Sequence, residues 1–188
     1  MAGEGILRTA RLELWPIGLG DVEALWPYVS DPELPRLMTW EAHRDRAETE
    51  GFVRASLGAR EAGTGFVWTL RRPEGLVGII GLHDVVRTVR AWRQDRAELG
   101  YWIGAAHLGQ GLVTEAAREV LRFGFEGLGL HKLTVGCASE NQASRAVIER
   151  LGFRFVGEQR EHFFRYDRWW DHLSYELLRA DWRRAAGL

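Results

Sequence analysis

The chain has 188 residues, of which 46% are apolar and 27% are charged. These values are typical of a globular domain and exclude a disordered or collagen-like chain. The 26 acidic and 25 basic residues nearly cancel, so no single-sign charge argues for nucleic acid or a membrane surface as the main partner. The length predicts a single domain over residues 1–188.

Cysteine usage and the first residues indicate the compartment. Cys137 is the only cysteine, which excludes an internal disulfide. Residues 1–15 include charged side chains and no apolar stretch, which is not the pattern of a signal peptide. No apolar run approaches the roughly 20 residues that a membrane helix needs. We therefore expect a cytoplasmic protein.

The first part of the chain is predicted to form a strand and two helices. Thr9–Pro16 alternates apolar and polar side chains, which is the pattern of a half-buried strand. Asp21 is predicted to cap a helix that reaches about Tyr28. A second, more polar helix is predicted over Glu41–Arg60, with a thin apolar stripe that ends at Leu57.

The middle of the chain is rich in predicted strands. Gly65–Leu70 and Leu76–Val86 are predicted strands joined in a hairpin at Pro73–Gly75. The polar segment Val85–Asp95 is predicted to be a long loop. Ala97–Ile103 is predicted to be the next strand.

The last part alternates helices and strands. The clearest helical pattern runs from Val113 to Leu128. A short helix over Ala143–Leu151 should end at Gly152, the position where glycine commonly closes a helix. Three further strands are predicted over Leu133–Ala138, Phe153–Gln159 and His172–Leu178.

This order of elements predicts the fold class. The strand–helix–strand unit over 97–138 should pair its two strands in parallel, with a right-handed crossover. The hairpins around it should be antiparallel. The chain is therefore predicted to be an α+β (mixed α/β) protein, with a central, mostly antiparallel mixed sheet of about six to seven strands flanked by about four helices.

The segment Leu108–Thr114 joins a strand to the start of the long helix and has glycines at positions 109 and 111. Glycine permits a positive φ and close approach of a ligand to the backbone, and the free amides at a helix start favour anions such as phosphate. By itself the pattern also fits a tight turn with a glycine cap. No Gly-Lys-Ser/Thr follows, so the loop is not a kinase-type P-loop. Thr114 stands where the dinucleotide-binding fingerprint has its third glycine, so the loop is not that motif either.

The sequence around this loop resembles the GNAT superfamily of acyl-CoA N-acyltransferases, in particular its ribosomal-protein N-terminal acetyltransferase (RimJ/RimL-type) branch. The resemblance covers about residues 8–182 and implies the GNAT fold. It is carried by Tyr101–Gly104, Leu108–Ala116, Glu140–Arg145, Leu151–Phe153, Thr9–Leu14, Asp31–Glu33, Trp169–Leu173 and Tyr175.

The resemblance implies acetyl-CoA as the cofactor. The loop would bind its pyrophosphate, Asn141 would contact the pantetheine arm, and the strand end would pair with the pantetheine amides. Leu108 and Val113 depart from the family's loop pattern, although backbone amides do most of the binding. The implied cofactor residues are Trp102, Ile103, Leu108, Gly109, Gln110, Gly111, Leu112, Val113, Thr114, Asn141 and Ser144. The histidines show no metal spacing, so no metal is expected.

The catalytic candidates follow from direct transfer to a neutral amine. Glu98 is the first candidate for the general base, because several superfamily members have a glutamate on this strand; the alternative is a surface glutamate paired with an arginine. Glu161 and His162 are further candidates, against the alternative of solvated loop charges. Ser144 would stand near the thioester sulfur and could hydrogen-bond the departing thiolate, or it could serve only the helix start.

An α-amine, with an ordinary pKa near 7.7–8.0, needs less help to lose its proton than a lysine near 10.4. We therefore expect a protein or peptide N-terminus as acceptor. The alternatives are an aminoglycoside or polyamine acetyltransferase, a non-catalytic acyl-CoA binding module and, more remotely, a nucleotide-binding protein. No nucleic acid or membrane partner is expected, and a homodimer is common in the family. The proposed acceptor pocket draws on Trp40, Trp102, Trp169 and Trp170.

Overall fold

The structure is a computed structural model that describes residues 5–187. Within that range the strands are β1 (Leu7–Arg8), β2 (Glu13–Pro16), β3 (Phe66–Arg72), β4 (Gly75–Val89), β5 (Trp92–Ile103), β6 (Lys132–Ala138), β7 (Arg154–Arg165) and β8 (Arg168–Leu178). The α-helices are α1 (Val22–Val29), α2 (Arg46–Glu61), α3 (Leu112–Arg122), α4 (Gln142–Arg150) and α5 (Arg179–Ala186).

All eight strands form one sheet in the order β1-β2-β3-β4-β5-β6-β8-β7. β5 and β6 run parallel, and the other neighbouring strands are antiparallel. The predicted mixed fold and the parallel unit over 97–138 are confirmed. The sheet has one strand more than the upper prediction, because the short β1 pairs with β2.

Two apolar layers cover the sheet, one on each face. Successive side chains of a strand point to opposite faces, so Leu99 and Trp102 of β5 belong to different layers. Leu99 packs in the cluster that contains Leu121 of α3, whereas Trp102 packs with Leu25 of α1 and Val53 of α2. We call these the α3–α4 face and the α1–α2 face.

The polar segment Val85–Asp95 forms a hairpin, so the prediction of a long loop was wrong. β4 and β5 continue to a tight turn, where Val89 pairs with Trp92. Trp92 is 77% exposed. Residues 87–93, around the turn, are exposed on both faces of the hairpin, so the alternation that marks a half-buried strand is lost there.

The prediction that Asp21 caps α1 was wrong for its side chain, which makes no capping hydrogen bond to the helix. Its carboxylate accepts a hydrogen bond from the amide of Gly18 (2.8 Å) and pairs with Arg71 of β3. The partner lies 50 residues away in the chain, so a local capping pattern could not reveal it.

Helix α2 starts later than predicted, at Arg46 instead of Glu41. Asp45 caps it by accepting a hydrogen bond from the amide of Glu48 (2.9 Å). Leu57, assigned to the apolar stripe, is 36% exposed, so the buried stripe of α2 ends earlier in the chain.

Two other elements end differently from the prediction. The α-helical part of the long helix ends at Arg122, and one π-helical turn follows over Phe123–Gly127. β7 extends beyond the predicted end at Gln159 and reaches Arg165, where a hairpin leads into β8.

No helix within residues 5–187 combines the length and the apolar character required to cross a membrane.

Candidate active site

The sheet splits between its two parallel strands. β5 pairs with β6 only from Arg96/Lys132 to Glu98/Thr134. Beyond that point β5 stays paired with β4 as far as Ile103, while β6 stays paired with β8 as far as Ala138. The two halves of the sheet therefore diverge and leave facing backbone edges without a strand partner.

A cavity of about 610 Å³ occupies this split and is lined from both faces of the sheet. From the α3–α4 face it is lined by Tyr101, Leu108, Val113, Cys137, Asn141, Ala143, Ser144 and Val147. From the α1–α2 face it is lined by Met38, Trp40, His43, Phe52, His83, Glu98, Trp102, Phe163 and His172, among others. Two molecules that enter from opposite faces can thus meet within the sheet.

The glycine loop forms an anion cradle at the open end of the split. Gly109 and Gly111 have φ of 72° and 73°, and a Cβ at Gly109 would meet no atom within 4 Å. Among the described residues, no backbone carbonyl accepts a hydrogen bond from the amides of 109–114. Consecutive free amides at a helix start suit phosphate oxygens, so this segment fits the pyrophosphate of coenzyme A.

A salt bridge from the start of the chain supports the loop. Glu115 in the first turn of α3 pairs with Arg11 (2.6 Å) and accepts a hydrogen bond from Thr9 (2.6 Å). Arg11 also donates to the carbonyl of Gln110 (3.0 Å). Arg11 and Glu115 are 104 residues apart in the chain, so no local sequence pattern indicates this anchor.

Two hydroxyl groups meet on the α3–α4 side of the cavity. Ser144 Oγ lies 2.9 Å from the hydroxyl of Tyr101. Burial raises the pKa of Tyr101 to about 12, so the phenol keeps its proton at neutral pH. Asn141 lines the cavity and also caps α4 by accepting from the amide of Ser144 (3.0 Å). Cys137 is buried, as predicted for its strand.

On the α1–α2 side, β4 and β5 present a histidine and a carboxylate to the cavity. His83 pairs in register with Glu98, and Gly81 pairs with Gly100 next to them. The imidazole of His83 lies over these two glycines, since a Cβ on either would come within 3.2 Å of the ring. The glycine pair therefore provides the room that the histidine fills.

The electrostatic environment of these groups favours proton acceptance. Partial burial raises the pKa of Glu98, the neighbouring carboxylate of Asp84 raises it further, and the charge of Arg96 partly offsets these effects. Burial lowers the pKa of His83, and Asp84 partly offsets this. At neutral pH His83 is therefore a neutral imidazole beside a carboxylate of increased basicity.

On the opposite side of the split, His172 of β8 leans over β6. A Cβ on Gly136 would overlap its ring. Its Nδ1 atom is buried without a hydrogen-bond partner among the described residues. The ring of His162 lies 5.0 Å away. Burial lowers the pKa of His172, and the charge of His162 lowers it further.

The remaining predicted residues divide between the cavity and its surroundings. Trp40 and Trp102 line the cavity, whereas Trp169 is 56% exposed and packs against Phe164. Trp170 is buried behind Phe163, on which it stacks.

Glu161 and His162 lie inside β7 instead of in a loop, at an irregular step between Gln159 and Phe163. Glu161 has φ of 49° and is exposed, and its backbone amide donates to Asp171 (2.8 Å). Neither residue lines the cavity, although His162 contacts the ring of His172.

The charge of the cavity is one-sided. Asp84 and Glu98 are its ionisable carboxylates, and no arginine or lysine of the described residues lines it, although the chain has 25 such residues. The predicted alternative that Glu98 pairs with a neighbouring arginine is not seen, because Arg96 donates to Gln94 instead (2.8 Å). The cavity therefore suits a cationic or amine-bearing ligand on this side.

The sheet split, the glycine cradle and the two-sided cavity define the class of an acyl-CoA-dependent acyltransferase. The family model described as Acetyltransferase (GNAT) domain matches residues 11–154. The chain belongs to this GNAT acetyltransferase family. It is an acetyl-CoA-dependent N-acetyltransferase.

Several named proteins resemble the chain. YdaF of Bacillus subtilis (strain 168), provisionally named a ribosomal N-acetyltransferase, is 36% identical over 107 residues, which are 57% of this chain and 56% of that protein. This alignment spans about half of that relative. The ribosomal protein uS5–alanine N-acetyltransferase of Escherichia coli (strain K12) is 27% identical over 154 residues, 78% of this chain and 77% of that protein.

A solved structure has the same fold. RimL, a ribosomal L7/L12 alpha-N-protein acetyltransferase in complex with coenzyme A, superposes with a TM-score of 0.84 at 18% identity. The match covers 92% of this chain and 97% of that one. The predicted GNAT fold is confirmed. The names of YdaF and of the uS5–alanine N-acetyltransferase support the predicted RimJ/RimL-type branch.

Proposed function

We propose that this enzyme acetylates the α-amine of a protein or peptide N-terminus, by direct attack on acetyl-CoA within the split between β5 and β6. The observation that carries the proposal is the two-sided cavity. One side is lined by the hydroxyls of Ser144 and Tyr101 and by Leu108 of the glycine loop, and the other by carboxylates and imidazoles. No lysine or arginine of residues 5–187 lines either side.

On the cofactor side, the amides of 109–114 would hold the pyrophosphate. The unpaired edge of β5 over 99–103 and the side chain of Asn141 would hold the pantetheine arm. When bound, the cofactor supplies an activated acetyl group, so the protein needs no nucleophile of its own. The residues of the chain then act by positioning the amine, which can contribute several kcal/mol to the rate.

On the acceptor side, the amine arrives as an ammonium ion and must lose a proton. Asp84 and Glu98 attract the cation, and Glu98, with its raised pKa, accepts the proton directly or through one water. His83 and His172, both with lowered pKa values, are neutral at pH 7 and can pass the proton to solvent.

On the α3–α4 side, the hydroxyl pair of Ser144 and Tyr101 lines the cavity and would stand near the thioester sulfur of the bound cofactor, as the resemblance implies for Ser144. A thiol has an ordinary pKa near 8.5, so the thiolate needs a hydrogen-bond donor more than a strong acid. Tyr101 keeps its proton over the working pH range and, through Ser144, supplies such a donor.

The acceptor class follows from the chemistry and from the relatives. An α-amine is less basic than a lysine side chain and is more often neutral near pH 7. The names of YdaF and of the uS5–alanine N-acetyltransferase point to ribosomal and N-terminal acceptors. A polyamine or an aminoglycoside is the competing acceptor, because the carboxylates would attract either.

The test is Glu98→Gln, assayed with acetyl-CoA and a short peptide that has an N-terminal alanine. We expect kcat to fall about 10- to 100-fold while the acetyl-CoA Kd stays within twofold. The acidic limb of the pH–rate profile should disappear, because that limb reports protonation of Glu98. The matched control is Glu158→Gln, which neutralises an exposed carboxylate of β7 outside the cavity. An unchanged rate and profile in Glu98→Gln would reject Glu98 as the base.

We also propose that the enzyme works in the cytoplasm, as the residue pattern predicts, and that it forms a homodimer, as the family resemblance implies. The exposed Phe155 and Val156 on the edge strand β7 support a contact between copies. Light scattering of the purified protein would distinguish a dimer from a monomer.

A further inference from the structure

We propose that Arg165 is a positioning residue that fastens the loop over residues 34–40 across the acceptor mouth of the cavity. The inference rests on the proposed function, since it takes the α1–α2 side as the acceptor side. It assigns a role to a residue that neither the loop motif nor the family resemblance singled out.

The contact joins two distant parts of the chain. Arg165, at the end of β7, donates from Nη1 to the carbonyls of Pro35 (2.9 Å) and Met38 (2.7 Å). These carbonyls lie 130 and 127 residues before it in the chain. They belong to a short 3-10 helix over Leu34–Leu37 and to its C-cap. A cation at the carbonyl end of a helix is favourably placed.

The loop depends on this contact. Among the described residues, Arg165 makes the only hydrogen bonds that join residues 32–42 to another element. The loop's own bonds are local, such as Met38 to Pro35 (2.9 Å). Its two ends are attached to α1, through the amides of Asp31 and His43. Without Arg165 the loop would be held in the middle by apolar packing alone.

The arginine itself is held in a defined orientation. The ring of Tyr166 lies against its guanidinium, with 4.6 Å between the Cζ atom of Arg165 and the ring centroid. Its backbone carbonyl accepts a hydrogen bond from the indole of Trp170 (2.9 Å). The hairpin therefore presents a rigid donor to the loop, and a guanidinium can bridge two carbonyls in a fixed geometry.

The fastened loop forms the acceptor wall. Leu37, Met38, Thr39 and Trp40 all line the cavity, and so does Phe163, two residues before Arg165. Arg165 thus sets the distance between the two walls that an incoming amine must pass. Loosening the loop would weaken acceptor binding and leave the glycine cradle on the other face intact.

The experiment combines kinetics with hydrogen–deuterium exchange on the full-length protein. The first variant is Arg165→Ala, which removes the hydrogen bonds to the loop carbonyls. The second is Arg165→Lys, which keeps a positively charged donor but not the planar guanidinium. In Arg165→Ala we expect faster deuterium uptake over residues 34–43. We also expect the KM for the N-terminal-alanine peptide to rise roughly tenfold, with kcat and the acetyl-CoA Kd within about twofold. Arg165→Lys should recover part of the loss.

The matched control is Arg160→Ala, which removes an exposed arginine of the same strand that makes no side-chain hydrogen bond within the described residues. It should change neither exchange nor KM. Unchanged exchange over 34–43 in folded Arg165→Ala would overturn the proposal, and so would faster exchange with an unchanged peptide KM. If the wild-type enzyme acetylates no amine, the proposed function fails, and the exchange experiment still decides whether Arg165 fastens the loop.

Discussion

Replacing Gly111 by aspartate tests the glycine cradle. Gly111 has φ of 73°, and a Cβ there would meet nothing closer than an Arg11 nitrogen at 3.8 Å. The new side chain therefore fits sterically. The left-handed backbone costs about 1 kcal/mol of stability, since aspartate tolerates this region better than most residues. The folded protein should thus survive the substitution.

The effect on the cofactor should be larger and electrostatic. A carboxylate placed about 5 Å from one phosphate charge costs roughly 1 kcal/mol in a water-like medium and roughly 3 kcal/mol at an effective dielectric constant of 20. Each 1.4 kcal/mol is about tenfold in affinity. We therefore expect the acetyl-CoA Kd to weaken about 10- to 100-fold in Gly111→Asp, measured by titration calorimetry.

The control is Gly63→Asp at the end of α2. Gly63 has a similar φ of 69° and open space around it, but it follows the end of α2 and is not part of the glycine loop. It should show the same small loss of stability and an unchanged Kd. An unchanged acetyl-CoA affinity in folded Gly111→Asp, or an equal loss in both variants, would refute the assignment of the cradle.

Two further substitutions test the groups around the cavity. Tyr101→Phe removes the hydroxyl that contacts Ser144. In a coenzyme A release assay it should lower kcat about tenfold, with an unchanged acetyl-CoA Kd. An unchanged kcat would show that Ser144 serves as the donor without Tyr101. Glu115→Gln should lower the free energy of unfolding by about 1–2 kcal/mol, measured by urea unfolding at pH 7. Burial alone would raise the pKa of Glu115, but hydrogen bonds from Thr9 and Arg11 outweigh it and lower the pKa. The stabilisation is therefore present above the unfolded-state pKa near 4.3 and is lost as pH falls through the lower folded-state value, so the two proteins should converge in acid; a constant difference down to low pH would contradict this.

Local patterns were enough to predict most of the fold. The helix that follows the glycine loop and the parallel strands around it have strong periodicity, because each buries one face against the sheet. The β4–β5 hairpin was missed, since residues 87–93 around its turn are exposed on both faces and leave no alternating pattern. The bond between Asp21 and Arg71 was missed for a different reason, because long-range ion pairs leave no periodic trace.

In the candidate site too, local motifs were predictable from the sequence and tertiary contacts were not. The family resemblance singled out the glycine loop, of which Leu108 and Val113 line the cavity, and Glu98, Trp40 and Trp102 line it as well. His83 was not foreseen, although the glycines at 81 and 100 that make room for it are visible in the sequence once the strand register is known. Register between strands depends on tertiary pairing, so the sequence alone could not show which glycine faces which histidine.

The partners of Tyr101 and Arg165 also depend on tertiary contacts. Tyr101 was part of the recognised motif, but its bond to Ser144 joins residues 43 positions apart. Arg165 lies beyond the predicted end of its strand at Gln159, and its acceptors are backbone carbonyls. Any residue type has a backbone carbonyl, so no sequence pattern identifies such a partner.

The proposed function is direct transfer of the acetyl group to an α-amine that enters from the α1–α2 face. The most direct measurement is mass spectrometry of a short peptide with an N-terminal alanine and one internal lysine, after incubation with the enzyme and acetyl-CoA. We expect one acetyl group, on the α-amine. Acetylation of the lysine with a free α-amine, or acetylation of spermidine but not of the peptide, would contradict it.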